Sequence, residues 1–288
     1  MPILKAVIPA AGLGTRLYPA TKSQPKEMLP LGAKPTIQYV AEELVAAGLP
    51  NILVVTGRQK RAIEDHFDPA DGLPPGDGSQ RGDELLRDPA VRFFYVRQST
   101  PRGLGDAVAH AEQFVGHDPF VVALGDCVIL EPIRAGLLGR MMRFHESHSA
   151  AATIAVQRVT PEDTTRYGIV APAADCEPGA LRLEGIVEKP GPEHAPSDLA
   201  VCARYVFSPD IFSHLRATAP GHGGEIQLTD AIRSLISAGL PVLAVPLQSG
   251  EERLDVGNQQ SYARAFLRVA LADAQLGEPL RRYLRGLL

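Results

Sequence analysis

The strings Gly12-Leu13-Gly14-Thr15-Arg16 and Pro25-Lys26-Glu27-Met28-Leu29-Pro30, eight residues apart, put small residues and cations into one extended loop. Small residues let a backbone approach a ligand closely, and successive N–H groups can form a nest for an anion. Ala10, Ala11, Gly12 and Gly14 are therefore candidates for holding a phosphorylated nucleotide. Arg16 and Lys26, with Lys22 between them, can neutralise charge that grows on a departing pyrophosphate. That chemistry suits nucleotidyl transfer. Two other phosphate loops do not fit. G-x-G-x-x-G fails because Leu17 occupies the third glycine position, which disfavours a nicotinamide-dependent dehydrogenase, and G-x-x-x-x-G-K-[ST] has no match.

Further residues have suitable chemistry but stay equivocal when read alone. Asp126 follows an apolar strand, where a carboxylate can hold Mg²⁺ on phosphates, yet Gly125-Asp126 is equally a turn. Asp255 ends a short strand before a helix and could simply cap it. Gln98 carries both a donor and an acceptor suited to the imide edge of uracil or thymine, and Gly103 permits close backbone contact. The alternative is a surface glutamine and a helix-opening glycine. Lys189 is the only lysine after Lys60 in a chain with only six lysines among 29 Lys plus Arg, which favours a dedicated role over a solvated cation. His145 and His148, at i and i+3, lack a visible third ligand and read as a solvated helix face.

These residues need a scaffold that brings them together. Ile3–Pro9, Asn51–Thr56, Val91–Val96 and Phe120–Leu124 are continuous apolar runs of strand length, and helical patterns at 37–47, 59–67 and 104–114 lie between them. Strands buried on both faces and alternating with helices indicate parallel βαβ units in a doubly wound layer. After a helix over 133–148, extended segments at 152–156, 168–170, 183–187 and 199–207 indicate an added mixed or antiparallel region. Helices are expected at 210–216, 227–237 and 259–274, a strand at 241–245, and a small helix after Gly277. The Pro/Gly-rich stretch Asp68–Asp83 reads as a surface excursion.

Composition narrows the class. The chain has 288 residues and a net charge of -4, long enough for a core that buries about 75% of the unfolded surface and without the basic footprint of a nucleic-acid binder. Cys127, Cys176 and Cys202 are odd in number and widely spaced, unlike a disulfide framework or a zinc site. No apolar run in Met1–Pro9 has signal-peptide length, and none elsewhere approaches the ~20 residues of a membrane span. The expectation is a cytoplasmic protein with neither nucleic-acid nor membrane partners.

The glycine loop and its Lys26-bearing continuation resemble the signature of the sugar-1-phosphate nucleotidyltransferases. Within that family, Ile8-Pro9-Ala10-Ala11-Gly12 and Lys26-Glu27-Met28-Leu29-Pro30-Leu31 are most similar to bacterial uridylyltransferase members, with the similarity running from Lys5 to about Ala270. The resemblance implies an α/β fold with a Rossmann-like doubly wound mixed sheet of the nucleotide-diphospho-sugar transferase type and a small inserted sugar-binding β region. One domain would span 1–288: a nucleotide-binding part at about 1–130, a sugar-binding and accessory part at about 131–258, and a C-terminal helical segment at about 259–288. The implied reaction takes UTP and glucose 1-phosphate to UDP-glucose and pyrophosphate with Mg²⁺.

The same resemblance implies metal binding by Asp126 and Asp255, and base reading by Gln98 and Gly103 with backbone groups of Ala11 and Gly12. It implies sugar and phosphate contacts from Gly168, Glu188 and Lys189, with Glu225 as a further candidate, and assembly as a homodimer or homotetramer. A thymidylyltransferase or a non-catalytic sugar-nucleotide-binding subunit are the rivals; retention of Arg16, Lys26, Asp126, Asp255 and Lys189 together argues against the latter. Where family members often carry histidine, this chain has Asp106, and Asp68–Asp83 departs from the usual helical, acidic segment.

Overall fold

The computed structural model describes residues 2–68, 88–173 and 179–287. Most of the expected 68–83 excursion and Cys176 therefore lie outside the described residues. The strands are β1 (Lys5–Pro9), β2 (Pro30–Leu31), β3 (Lys34–Pro35), β4 (Asn51–Thr56), β5 (Arg92–Arg97), β6 (Phe120–Ala123) and β7 (Cys127–Leu130). Then come β8 (Ala152–Arg158), β9 (Gly168–Pro172), β10 (Leu181–Glu188), β11 (Leu199–Phe207), β12 (Val242–Pro246) and β13 (Glu252–Asp255). The helices are α1 (Thr36–Ala46), α2 (Arg61–Phe67), α3 (Leu104–Ala109), α4 (Glu112–Val115) and α5 (Gly136–Ser147). They continue with α6 (Ile211–Ala217), α7 (Leu228–Ser237), α8 (Gln259–Ala272) and α9 (Gly277–Arg285).

Nine strands form the main sheet in the order β5-β4-β1-β6-β11-β8-β12-β10-β9. The first four are mutually parallel, β11 joins β6 antiparallel, and β9 and β10 form an antiparallel hairpin at the far edge. This is the doubly wound layer with its added mixed region. The chain moves outward from β1 through β4 to β5 and then returns to the other side of β1 as β6. Ligands of open α/β sheets gather at such a reversal, beyond the carboxyl ends of the strands. The loops after β1 and β6 meet there.

Apolar residues cover both sheet faces. Val7, Phe120, Val122 and Ile154 pack with α3, α6 and α7, while Ile8, Ile52, Val121 and Val206 pack with α1 and α5. Continuous apolar strands follow directly from this two-sided burial. No helix among the described residues is long and apolar enough to cross a membrane. Cys127 and Cys202 are free and buried.

Two expectations are corrected. The helix over 104–114 is two helices, because the His110 ring contacts the Asp106 carbonyl at 2.8 Å and the Ala111 N–H turns to Val108, tightening the chain between α3 and α4. His145 is not on a solvated face: it is 4% exposed, and its Nδ1 lies 3.2 Å from Thr153 Oγ1 beneath β8. An i, i+3 pair shows that two residues neighbour each other, not which side of the helix meets the sheet.

Burial lowers the His145 imidazole from 6.5 to about 4. The unfolded chain therefore gains this proton below about pH 6.5 while the folded chain resists it, so stability falls as pH drops through that window. Denaturant titrations at pH 7 and pH 4.5 should show His145→Gln losing less stability on acidification than the parent, by on the order of 2 kcal/mol. Equal losses would refute this account of the imidazole.

Candidate active site

The carboxyl end of β1 runs into the 10–16 loop. Ala10 and Ala11 are buried, and the Ala10 N–H bonds to the Val55 carbonyl at 2.9 Å, which ties the loop to β4. Gly14 leads into a single 3₁₀ turn, Thr15–Leu17, that leaves Arg16 exposed. Lys26 begins a second 3₁₀ turn, Lys26–Met28, and its Nζ is hydrogen-bonded to Asp126 Oδ2. Burial disfavours the Lys26 ammonium, but Asp126 and Glu27 outweigh it and raise the group above the ordinary lysine range. Burial likewise pushes the Asp126 carboxyl up, and Lys26 reverses this and holds it below the usual value.

Glu27 points to the other side of the same turn. It is 1% exposed and pairs at 2.7 Å with Lys60, itself 4% exposed, from the segment before α2. Burial raises the Glu27 carboxyl, opposed by Lys60 and Lys26. A buried carboxylate is tolerated only with such partners. The pair thus anchors the Lys26 turn to the loop after β4.

Asp126 and Asp255 are 129 positions apart in the sequence but adjoin in space. β7 and β13 form an antiparallel ribbon with Asp255 opposite Cys127, and the Val256 N–H bonds to the Asp126 carbonyl at 3.0 Å. Arg253, two residues before Asp255, is nearly buried between them. Its Nε is 3.2 Å from Cys127 Sγ, its Nη2 is 3.4 Å from Asp255 Oδ1, and its guanidinium lies 4.4 Å from the Tyr167 ring centre. Arg166 approaches the other Asp255 oxygen at 3.7 Å and pairs with Asp163 at 2.9 Å. Among the described residues, no group of three or more His, Cys, Asp or Glu could hold a metal ion. Two carboxylates at one cleft fit Mg²⁺, which keeps waters and takes phosphate oxygens alongside few protein ligands.

The β9–β10 hairpin carries the next group. Gly168 lies opposite Glu188, and a Cβ on Gly168 would stand 3.2 Å from Thr229 Oγ1 and 3.3 Å from Glu188 Oε2, so a side chain here would push those groups aside by a few tenths of an ångström. Thr229 Oγ1 donates to Glu188 Oε2 at 2.6 Å. Lys189 follows with φ +47, a left-handed conformation that non-glycine residues rarely adopt, and its N–H bonds to the Tyr167 carbonyl at 3.1 Å. A cavity of about 310 Å³ is lined by Arg16, Asp126, Arg166, Lys189, Arg253 and Asp255 together with Tyr167. Five chain segments that the sequence separates thus converge. Glu225 does not line this cavity; it is exposed and lies against Gly103.

Gln98 and Gly103 lie side by side at the end of β5 and the start of α3. Gly103 has φ +104, and its added Cβ would meet the Ile226 carbonyl at 2.7 Å. Gln98 is buried, with Nε2 donating to Asp106 Oδ2 at 2.6 Å and to the Gly103 carbonyl at 3.3 Å. Sequence reading missed Arg166, Tyr167, Arg253, Lys60 and the coupling of Asp106 to Gln98. Only Arg253 left a signal: residues two apart on a strand share a face, so it had to accompany Asp255.

A switch-point glycine loop, cations for a polyphosphate and a carboxylate pair define a nucleotidyl transferase. The nucleotidyl transferase family model matches residues 5–271, and the chain belongs to that family. It is 44% identical to UTP--glucose-1-phosphate uridylyltransferase 2 of Streptococcus pyogenes serotype M1, covering 98% of this chain and 95% of the relative. A UTP-bound UGPase from Acinetobacter baumannii superposes with a TM-score of 0.87 at 37% identity over 100% of both chains. A UDP-glucose pyrophosphorylase complexed with UDP-glucose gives 0.84 at 36% identity, over 92% of this chain and 97% of the other.

Behind the aspartates, Arg204 is fully buried and bonds Glu43 through two nitrogens at 3.0 and 2.7 Å and the Cys127 carbonyl at 2.9 Å. It joins α1, β11 and the start of β7 next to Asp126. Arg204→Met alone should cost about 3–5 kcal/mol by leaving Glu43 buried and unpaired, whereas Glu43→Leu combined with Arg204→Met should recover much of it. Urea titration checks this; a loss below 1 kcal/mol in the single variant would contradict it.

Proposed function

We propose that this nucleotidyl transferase transfers a uridylyl group from UTP to glucose 1-phosphate, giving UDP-glucose and pyrophosphate. The carrying observation is the 310 Å³ cavity that unites Arg16, Asp126, Lys189 and Asp255. The activity named for the 44% identical streptococcal relative supports the choice of substrates. Ala10, Ala11, Gly12 and Gly14 would cradle the nucleotide, Gln98 and Gly103 would take the base, and Gly168 and Glu188 would face the sugar. Glu225, which lies against Gly103, remains the further candidate for a sugar contact.

Lys189 would hold the sugar phosphate so that its oxygen attacks the α-phosphorus in line with the departing pyrophosphate, and no covalent enzyme intermediate is needed. Arg16 and Lys26 would stabilise the charge that accumulates on the pyrophosphate. Asp126 and Asp255 would hold Mg²⁺. That ion supplies Lewis-acid neutralisation of phosphate oxygens when bound. Lys26 already neutralises Asp126, so the cleft has paired charges before any phosphate enters. Free, buried Cys127 and Cys202 support the reading of a reducing, cytoplasmic setting, and a homodimer or homotetramer is the assembly we infer from the family resemblance.

Pyrophosphate release across UTP, dTTP, CTP and ATP with several sugar 1-phosphates tests the reaction; an inert protein across the whole panel would favour a binding subunit. Lys26→Ala should lower turnover at least about 100-fold in a chain that still folds, with some loss of thermal stability because Asp126 loses its partner. Near-parental turnover would remove Lys26 from the proposed chemistry. Asp126→Asn should raise the Mg²⁺ concentration needed for half-maximal rate, and an unchanged Mg²⁺ titration would exclude Asp126 as a ligand.

A further inference from the structure

The orientation of the Gln98 amide is not free. A glutamine side chain can rotate by half a turn and exchange a donor for an acceptor at almost no steric cost, so by itself it does not choose between a base that offers N–H and one that offers a lone pair. In this chain the near oxygen of Asp106 lies 2.6 Å from one end of that amide. Asp106 is 5% exposed, and its other oxygen takes the Arg102 guanidinium at 3.0 Å. A carboxylate only accepts hydrogen bonds, so the amide end that faces it must be the NH₂. The Gly103 carbonyl, also only an acceptor, takes the same nitrogen at 3.3 Å. A flipped amide would set Oε1 against two acceptors. With both donors engaged, Oε1 is left with no partner among the described residues.

We propose that Asp106 is a specificity-determining positioning residue: by fixing the Gln98 amide with its donors on Asp106 and Gly103, it makes the base-reading atom an obligate acceptor. This rests on the reading of Gln98 as the base contact in uridylyl transfer. Uracil and thymine bring an N3–H to such an acceptor. Cytosine has a lone pair at N3 and meets Oε1 acceptor to acceptor. The selection is thus for an imide N–H, built two layers away from the base. Asp106 also sits in the first turn of α3, where an acidic residue has an ordinary helix-stabilising place, and the experiment separates the two roles.

The test compares kcat/KM for UTP and CTP, at saturating glucose 1-phosphate and Mg²⁺, in the parent and in Asp106→Asn. Asparagine keeps the size of the side chain but can present either a donor or an acceptor to Gln98, which releases the flip. The parent should prefer UTP strongly, and Asp106→Asn should reduce the UTP/CTP ratio at least tenfold, with dTTP following UTP. A helix-stabilising role alone would lower both values by the same factor, and an unchanged ratio overturns the proposal. Gln98→Leu separates this from the parent reading. If Gln98→Leu abolishes the preference while Asp106→Asn preserves it, Gln98 reads the base without help from Asp106. If the parent enzyme turns over neither nucleotide, or Gln98→Leu leaves the preference intact, the reading of Gln98 itself fails. Asp106→Glu, with the carboxylate retained, should keep the ratio closer to the parent than Asp106→Asn does; the reverse order also overturns the proposal.

Discussion

A protein interior can hold ionised groups only if each finds an opposite charge, and the cleft of this chain is arranged around that constraint. Positive and negative groups alternate along it. Lys60 pairs with Glu27, Glu27 acts on Lys26, Lys26 bonds Asp126, and Asp126 feels Arg253, which approaches Asp255, next to Arg166. The groups come from the Lys26–Met28 turn, the loop after β4, the β7–β13 ribbon and the turn before β9. Shifting any of these elements leaves a charge without its neighbour. The placement of these segments is therefore constrained by charge pairing as well as by the apolar faces of the sheet.

The readable parts of the fold were those governed by local burial. β1, β4 and β6 each carry a continuous apolar run, Ala6–Pro9, Ile52–Val55 and Phe120–Ala123, because helices cover both sheet faces. Asp126 was legible as a residue at a strand end, but its proximity to Asp255 depends on pairing between β7 and β13, which local pattern does not encode. Arg204, Glu43, Lys60 and Glu27 were invisible for another reason: residue type assigns them to the surface, and only the presence of a partner allows burial. His145 failed in the same way, by the identity of the face that its helix turns to β8.

The scarcity of lysine has a similar explanation. Besides Lys26 and Lys189, Lys5 meets Asp118 at 2.8 Å, Lys34 meets Glu42 at 2.8 Å and Lys60 meets Glu27 at 2.7 Å. Lysine is a compact point charge on a flexible stem, whereas arginine presents a planar fork. The chain uses the fork where two groups must be held at once, as Arg204 does with Glu43 and a carbonyl and Arg253 with Asp255 and Cys127.

Lys189 shows what such placement demands of the backbone. Its left-handed φ of +47 would be relaxed by glycine, but glycine carries no ammonium. Conformational ease and charge are incompatible at this position. The hairpin holds the residue there through the carbonyl of Tyr167, a residue that itself lines the cavity. Improving local comfort at this one residue would therefore trade away a cation, so the spot is one where sequence optimised for folding and sequence optimised for chemistry must diverge.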